Sequence, residues 1–222
     1  MSADLSVYKK DFPIFSRSVR GGNPLIYLDS GATSQKPEVV IQAEAGFYRT
    51  KNAAVHRGAH LLAEEASDAY EGARENVARF IGAASSEVIF TKSATESLNF
   101  HATTFGNPDS RIAIKQGDEI VVTEMEHHAN LIPWQQLVKR SGAKLTWLSI
   151  TTDGRLDLTN IDKIINIKTK IFAITHHSNV FGTVVPIDLI VKAARNVGAL
   201  VVLDACQSVP HFPVNVNQLG VD

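Results

Sequence analysis

Short runs of β-branched and aromatic residues alternate along the chain with longer stretches whose apolar positions recur at helical spacing. LIYLD (25–29), EVIFT (87–91), EIVVT (119–123), KLTWLSI (144–150), KIFAITH (170–176) and ALVVLDA (199–205) have the length and composition of strands, most of them buried on both faces. Between them, residues 95–105, 132–140, 158–165 and 187–197 read as helices, and Pro37 can open another at its first turn. In LLAEEASDAYEGARENVARFIG, Leu62, Ala66, Ala69, Ala73, Val77 and Phe80 form a stripe with charges between them, predicting an amphipathic helix. Strands separated by helix-length segments predict βαβ crossovers, and so an α/β fold with a mainly parallel sheet and flanking helices. Residues 1–24 read as an N-terminal segment and 25–222 as one domain, with no internal repeat or low-complexity linker.

In such sheets ligands gather where strands end and helices begin, so the polar residues that follow the apolar runs are the candidates for chemistry. Thr91 to Glu96, Glu124 to His128, His176 to Asn179 and Asp204 to Gln207 all occupy such ends, which favours one composite site. TKSATES sets small hydroxyl residues before a helix, where free N–H groups can receive an anion, or where Ser93 or Thr95 simply caps the helix with help from Glu96. Asp204 directly follows an apolar strand, and its charge there needs a cation or strong donors; a protonated heterocycle nitrogen, a metal or a loop N–H would serve.

Composition narrows the partners. With 222 residues, 44% of them hydrophobic, the chain can bury a core, while a formal net charge of -1 offers no broad basic face to nucleic acid or anionic lipid. Nothing resembles a signal peptide or a membrane-spanning run, so a cytoplasmic location is expected, and the single Cys206 fits a reducing compartment. The paired histidines, His127 with His128 and His176 with His177, suggest zinc at first. HRGAH (56–60), however, lacks the glutamate of HExxH and carries Gly58, and adjacent histidines tend to point apart, so no metal site is expected. Cys206 has no evident activating base nearby and reads as a packing residue, as do Trp134 and Trp147.

Taken in order, YLDSGATSQKP, AAVHRGAH, TKSATESLN, TEMEHHANLIPWQ, ITHHSNVFGT and VVLDACQSV resemble the cysteine desulfurases of the SufS-like group, also called selenocysteine lyases. These are class V aminotransferase-like enzymes that depend on pyridoxal 5'-phosphate. The resemblance implies the large domain of the aspartate aminotransferase-like, PLP-dependent transferase fold. It also implies a site in which His127 stacks on the cofactor ring and Asp204 pairs with its pyridine nitrogen, with His128 a supporting neighbour. By the same resemblance Gln207 donates to the ring's phenolic oxygen, Ala94 and Thr95 cradle the phosphate, and Asn179 meets the ring oxygen or the substrate carboxylate. His56 lies on a loop that approaches the substrate side. The implied reaction converts L-cysteine to L-alanine and leaves a persulfide on an enzyme cysteine, supplying sulfur for iron–sulfur cluster assembly. L-Selenocysteine is the alternative substrate, with a sulfur-acceptor protein and a second copy of the full-length chain as partners.

The family's lysine, in an SGHK-like motif, would follow Asp222, and the nucleophilic cysteine and the small C-terminal domain would come later still. The chain is therefore expected to be an N-terminal part, incomplete at the C-terminal side of the fold and inactive alone. Another PLP enzyme of the class V fold, or a noncatalytic truncated remnant, are the alternative readings.

Overall fold

The runs predicted as strands at 119–123, 144–150, 170–176 and 199–205 pair in parallel. The computed structural model describes residues 4–222, which fall into two compact units, Met1–Arg74 and Glu75–Asp222. In chain order the elements are α1 (Glu38–Thr50), α2 (Leu61–Ile81), α3 (Ala94–Phe105), β1 (Glu119–Thr123), α4 (Ile132–Ser141), β2 (Lys144–Leu148), α5 (Ile161–Ile164), β3 (Thr169–Thr175), α6 (Ile187–Val197), β4 (Leu200–Asp204) and α7 (Val216–Leu219). Short 3-10 turns also occur, among them Ser85–Glu87 and His128–Asn130. No described helix is long and apolar enough to cross a membrane.

The first unit is helical. Pro37 stands at the N-cap of α1, one place before the helix that it was expected to begin. The stripe predicted for α2 holds at Ala66 and is displaced elsewhere. Ala63, Ala66 and Ala78 are the buried positions, while Leu62, Val77 and Phe80 are exposed. Small alanines allow close approach of the helix to its neighbours, whereas spacing alone cannot say which of two apolar stripes is covered.

The second unit is a layered α/β structure around a 4-stranded sheet of order β2-β1-β3-β4, all parallel. Alternation along each strand sends side chains to opposite faces. Ile120 and Val122 of β1, with Ile171 and Ala173 of β3 and Val202 of β4, pack with Leu98, Ala102 and Phe105 of α3 and Trp134 and Leu137 of α4. On the other face, Val121, Phe172, Ile174 and Val201 pack with Ile187, Ile190 and Ala194 of α6. Gly198 ends α6 at φ 74, a left-handed conformation that glycine adopts without penalty, and the chain turns at once into β4.

Two predicted strands do not form. LIYLD (25–29) and EVIFT (87–91) lie outside the sheet, and Leu28 is 93% exposed. β-Branched composition describes fitness for a pleated, half-buried surface, and neither run has a strand partner among the described residues. The second run also begins in the 3-10 turn, where the Glu87 carboxylate accepts from the N–H of Ala84 at 2.7 Å. The helix expected over 158–165 shortens to α5, because Asp157 and Asn160 spend the preceding residues in turns; the Asp157 carboxylate accepts from Thr159 N–H at 2.9 Å.

The end of α2 is fastened from far along the chain. Gly82 (φ 73) follows the helix, its carbonyl accepts from Asn217 Nδ2 across 135 residues of sequence, and a Cβ at this position would meet the Asn215 side chain at 2.5 Å.

The two-faced core predicts an uneven response to truncation. Phe172→Ala should cost about 3–5 kcal/mol in urea unfolding through loss of apolar contact and the cavity left behind. Leu28→Ala should stay within about 0.5 kcal/mol.

Candidate functional site

Because the strands are parallel, their carboxyl ends share one edge. β1 pairs with β2 on one side and β3 on the other, so the chain changes direction across the sheet between β1 and β3. That switch leaves a crevice outside the strand ends, the usual place for a ligand in open α/β sheets.

Asp204 closes β4 at this edge and is buried, with 8% of its surface exposed. Its carboxylate accepts from Cys206 N–H at 3.0 Å, and none of the ion pairs among the described residues reaches it. A buried carboxylate with one backbone donor suits a cationic or strongly donating ligand atom.

His127 caps the 3-10 turn that follows β1. Its Nδ1 accepts from Ala129 N–H at 3.1 Å, which leaves Nε2 to carry the proton of the neutral ring. Both His127 and His128 are exposed, with ring centroids 6.2 Å apart and planes inclined at 47°. α3 packs against this turn. At the start of α3 the Ser93 side chain caps Glu96 N–H at 3.2 Å and the Glu96 carboxylate accepts from Lys92 N–H, so the capping reading of TKSATES holds. The capping leaves the N–H groups of Ala94 and Thr95 without a partner among the described residues, available to an anion at the positive end of the helix dipole.

Asn179 lies exposed in the turn after β3, closed by bonds from Gly182 N–H to the Ser178 carbonyl and from Ser178 N–H to the Thr183 carbonyl. The Gln207 carbonyl meets Nδ1 of His177 at 3.1 Å and Nδ1 of His211. His177 Nε2 meets the Gly182 carbonyl at 3.1 Å, tying the turns after β3 and β4 together. The second unit thus holds Ala94, Thr95, His127, Asn179, Asp204 and Gln207 at helix start and strand ends. His56 belongs to the first unit. It is the one described non-glycine residue with a left-handed backbone, φ 57, held by Ser67 Oγ on its N–H and by Glu71 at 3.1 Å from Nε2.

Two groups of the strand-end series carried no assigned role. His176 is buried with no partner at Nδ1, and burial, then neighbouring His177, lowers its pKa. Glu126 is enclosed by Thr123, Thr175 and Asn130, and burial pushes its carboxyl up to about 7 against those three bonds, with the nearby Asp204 charge adding to the rise. The available signal was its spacing, a threonine three residues before and an asparagine four after. Among the described residues no group of three or more His, Cys, Asp or Glu side chains is placed to hold a metal ion.

Residues 26–222 match the family described as Aminotransferase class-V. The chain belongs to this family. It is 56% identical over 220 residues to a probable cysteine desulfurase 2 of Mycobacterium leprae, an alignment that takes in 99% of this chain and 52% of the relative. Among solved structures, the apo cysteine desulfurase of Thermococcus onnurineus NA1 superposes with a TM-score of 0.89 at 38% identity, covering 100% of this chain and 52% of that one. A C-DES mutant with glycine covalently linked to its PLP cofactor shares the fold at 20% identity, with a TM-score of 0.77 and 96% and 53% coverage. The chain spans about half the length of the curated relatives it matches.

Cys206 offers a test of the local field. Partial burial of the sulfur, then the Asp204 charge, raises its thiol pKa, so alkylation at neutral pH should be slower than for a free cysteine. Asp204→Asn should speed it, as followed by mass spectrometry of iodoacetamide-treated protein.

Proposed function

We propose that this chain forms the cofactor-binding part of a pyridoxal 5'-phosphate-dependent cysteine desulfurase, acting on L-cysteine to give L-alanine and an enzyme persulfide. The observation that carries the reading is Asp204, a buried strand-end carboxylate with one backbone donor and no ion-pair partner among the described residues. The donor set suits the group: an acid for a pyridinium nitrogen, free helix-start N–H groups for a phosphate, and an exposed imidazole face for an aromatic ring.

When bound, the cofactor supplies an electron sink for carbanion chemistry at the substrate's α carbon. In this reading Asp204 keeps the proton on the ring nitrogen, because burial makes separation of that charge pair unfavourable. Ala94 and Thr95 fix the phosphate by backbone N–H and hydroxyl, and the Ser93–Glu96 capping holds the helix start in place. His127 lays its ring over the cofactor, its orientation set by Ala129 N–H. Gln207 donates to the phenolic oxygen, and Asn179 meets that oxygen or the substrate carboxylate. His56 is assigned to the substrate side.

The same reading takes residues 25–222 as part of the large domain, with a cytoplasmic location and a homodimer in the full-length protein. Its sulfur would go to an acceptor protein and on to iron–sulfur cluster assembly, with L-selenocysteine as a second substrate. The named relatives and the class-V match support the desulfurase reading from which these assignments follow.

In an active protein that carries this chain, Asp204→Ala should lower alanine release from L-cysteine about 100-fold or more. His127→Phe should retain much of the PLP uptake while shifting the visible absorption band, and His128→Ala should do much less. Unchanged turnover in Asp204→Ala would overturn the assignment. So would stoichiometric zinc with chelator-sensitive activity and no visible band.

A further inference from the structure

Glu126 sits at the switch between β1 and β3, and its two carboxyl oxygens collect donors from separate elements. Oε1 accepts from the Thr123 hydroxyl at the end of β1 at 2.6 Å and from the N–H of Thr175 at the end of β3 at 3.0 Å. Oε2 accepts from Nδ2 of Asn130 at 2.6 Å. Asn130 is fully buried, and its Oδ1 accepts from Trp134 Nε1 of α4 at 3.0 Å.

The direction of this chain is fixed. An indole N–H and a backbone N–H can only donate, so Asn130 must turn its oxygen to Trp134 and its amide nitrogen to Glu126. Glu126 must therefore accept at both oxygens. The Thr123 hydroxyl is the one partner able to reverse, accepting from the O–H of a neutral Glu126 while it also accepts from Met125 N–H. Asp204 is the titratable neighbour whose charge reaches the carboxyl, and the groups bonded to it from β1, β3 and the turn are uncharged.

We propose that Glu126 is a positioning residue of the cofactor site: it locks the ends of β1 and β3 and the His127–Asn130 turn in one register, and releases a proton when a cation seats on Asp204. This rests on the reading of Asp204 as the partner of a pyridinium nitrogen. The first part follows from the bonds, since the residue after Glu126 is the stacking candidate and its turn closes through the Asn130 N–H to the His127 carbonyl at 2.8 Å. The second part follows from charge. With Asp204 unpaired, its negative charge adds to burial in favouring the neutral carboxyl. A cation on Asp204 removes that contribution, the proton passes to buffer, and the Thr123 hydroxyl turns back to donating to Oε1. In the cofactor-free protein the folded value, about 7, lies above the unfolded one. The stabilisation from the neutral form is therefore full below the ordinary glutamate range and lost as pH rises to about 7.

The test uses an active protein that carries this chain, with 13C-labelled glutamate side chains and pyridoxal 5'-phosphate itself as the probe. The Glu126 carboxyl resonance should titrate near pH 7, move to lower pH in Asp204→Asn, and move to lower pH when PLP is added to the wild type. Glu126→Gln, which sets an amide NH2 against a donor, should weaken PLP binding about tenfold or more. Glu126→Gln combined with Asn130→Asp reverses the donor direction and should recover most of that affinity and the wild-type melting temperature. If the wild type takes up PLP but the resonance stays put and Glu126→Gln binds as tightly, this inference fails and the cofactor reading stands. If the wild type takes up no PLP, the cofactor reading fails and this inference with it. A Glu126 midpoint in the ordinary carboxylate range overturns the proton exchange whatever the variants do.

Discussion

Parallel pairing of β1 with both β2 and β3 is the constraint on which the rest of the second unit depends. It obliges each connection to cross a face of the sheet, which recruits α4 on one side and α6 on the other and leaves both faces of every central strand apolar. It also delivers Thr123, Thr175 and Asp204 to the same edge, so polar groups far apart in sequence become neighbours without further design. The apolar core and the polar site are two outcomes of one pairing rule. What the core cannot supply is the spacing between strand ends, and there the hydrogen bonds of Glu126 take over.

The strands from 119 onward and the helices at 95–105, 132–140 and 187–197 were legible because their patterns report local geometry and burial together. EVIFT and LIYLD were misleading for a physical reason: strand formation needs a neighbouring strand, and composition carries no information about that neighbour. The division near Arg74 falls inside α2, where the helical pattern runs on past Gly72 and no proline interrupts it. At the site, Asp204 could be read from its position after an apolar run, and the family resemblance gave it a cation to hold. Glu126 stood in the same strand-end series without a role, because its importance lies in Thr175, Asn130 and Trp134, which approach it only in the fold.

The two acids at this edge are treated differently by their surroundings. Asp204 has a single backbone donor, so its requirement for a partner is open to whatever enters the crevice. Glu126 has its requirement met from within the chain, by three donors on three segments. Acids in one crevice therefore divide into a group that receives and a group that supports, and the division follows from hydrogen-bond supply rather than from residue type.

The fastening of α2 has a consequence for how the chain comes to be folded. Asn215 and Asn217 meet Gly82 only after most of the second unit has been synthesised, since 135 residues separate Asn217 from its acceptor. Helical turns can form as soon as they leave the ribosome, but the final turn of α2 waits for a contact of high sequence separation, whose loop must close before the bond contributes anything. During synthesis the carboxyl end of this helix is therefore a late, reversible joint, and the segment from 215 to 217 acts as the latch that ends that period.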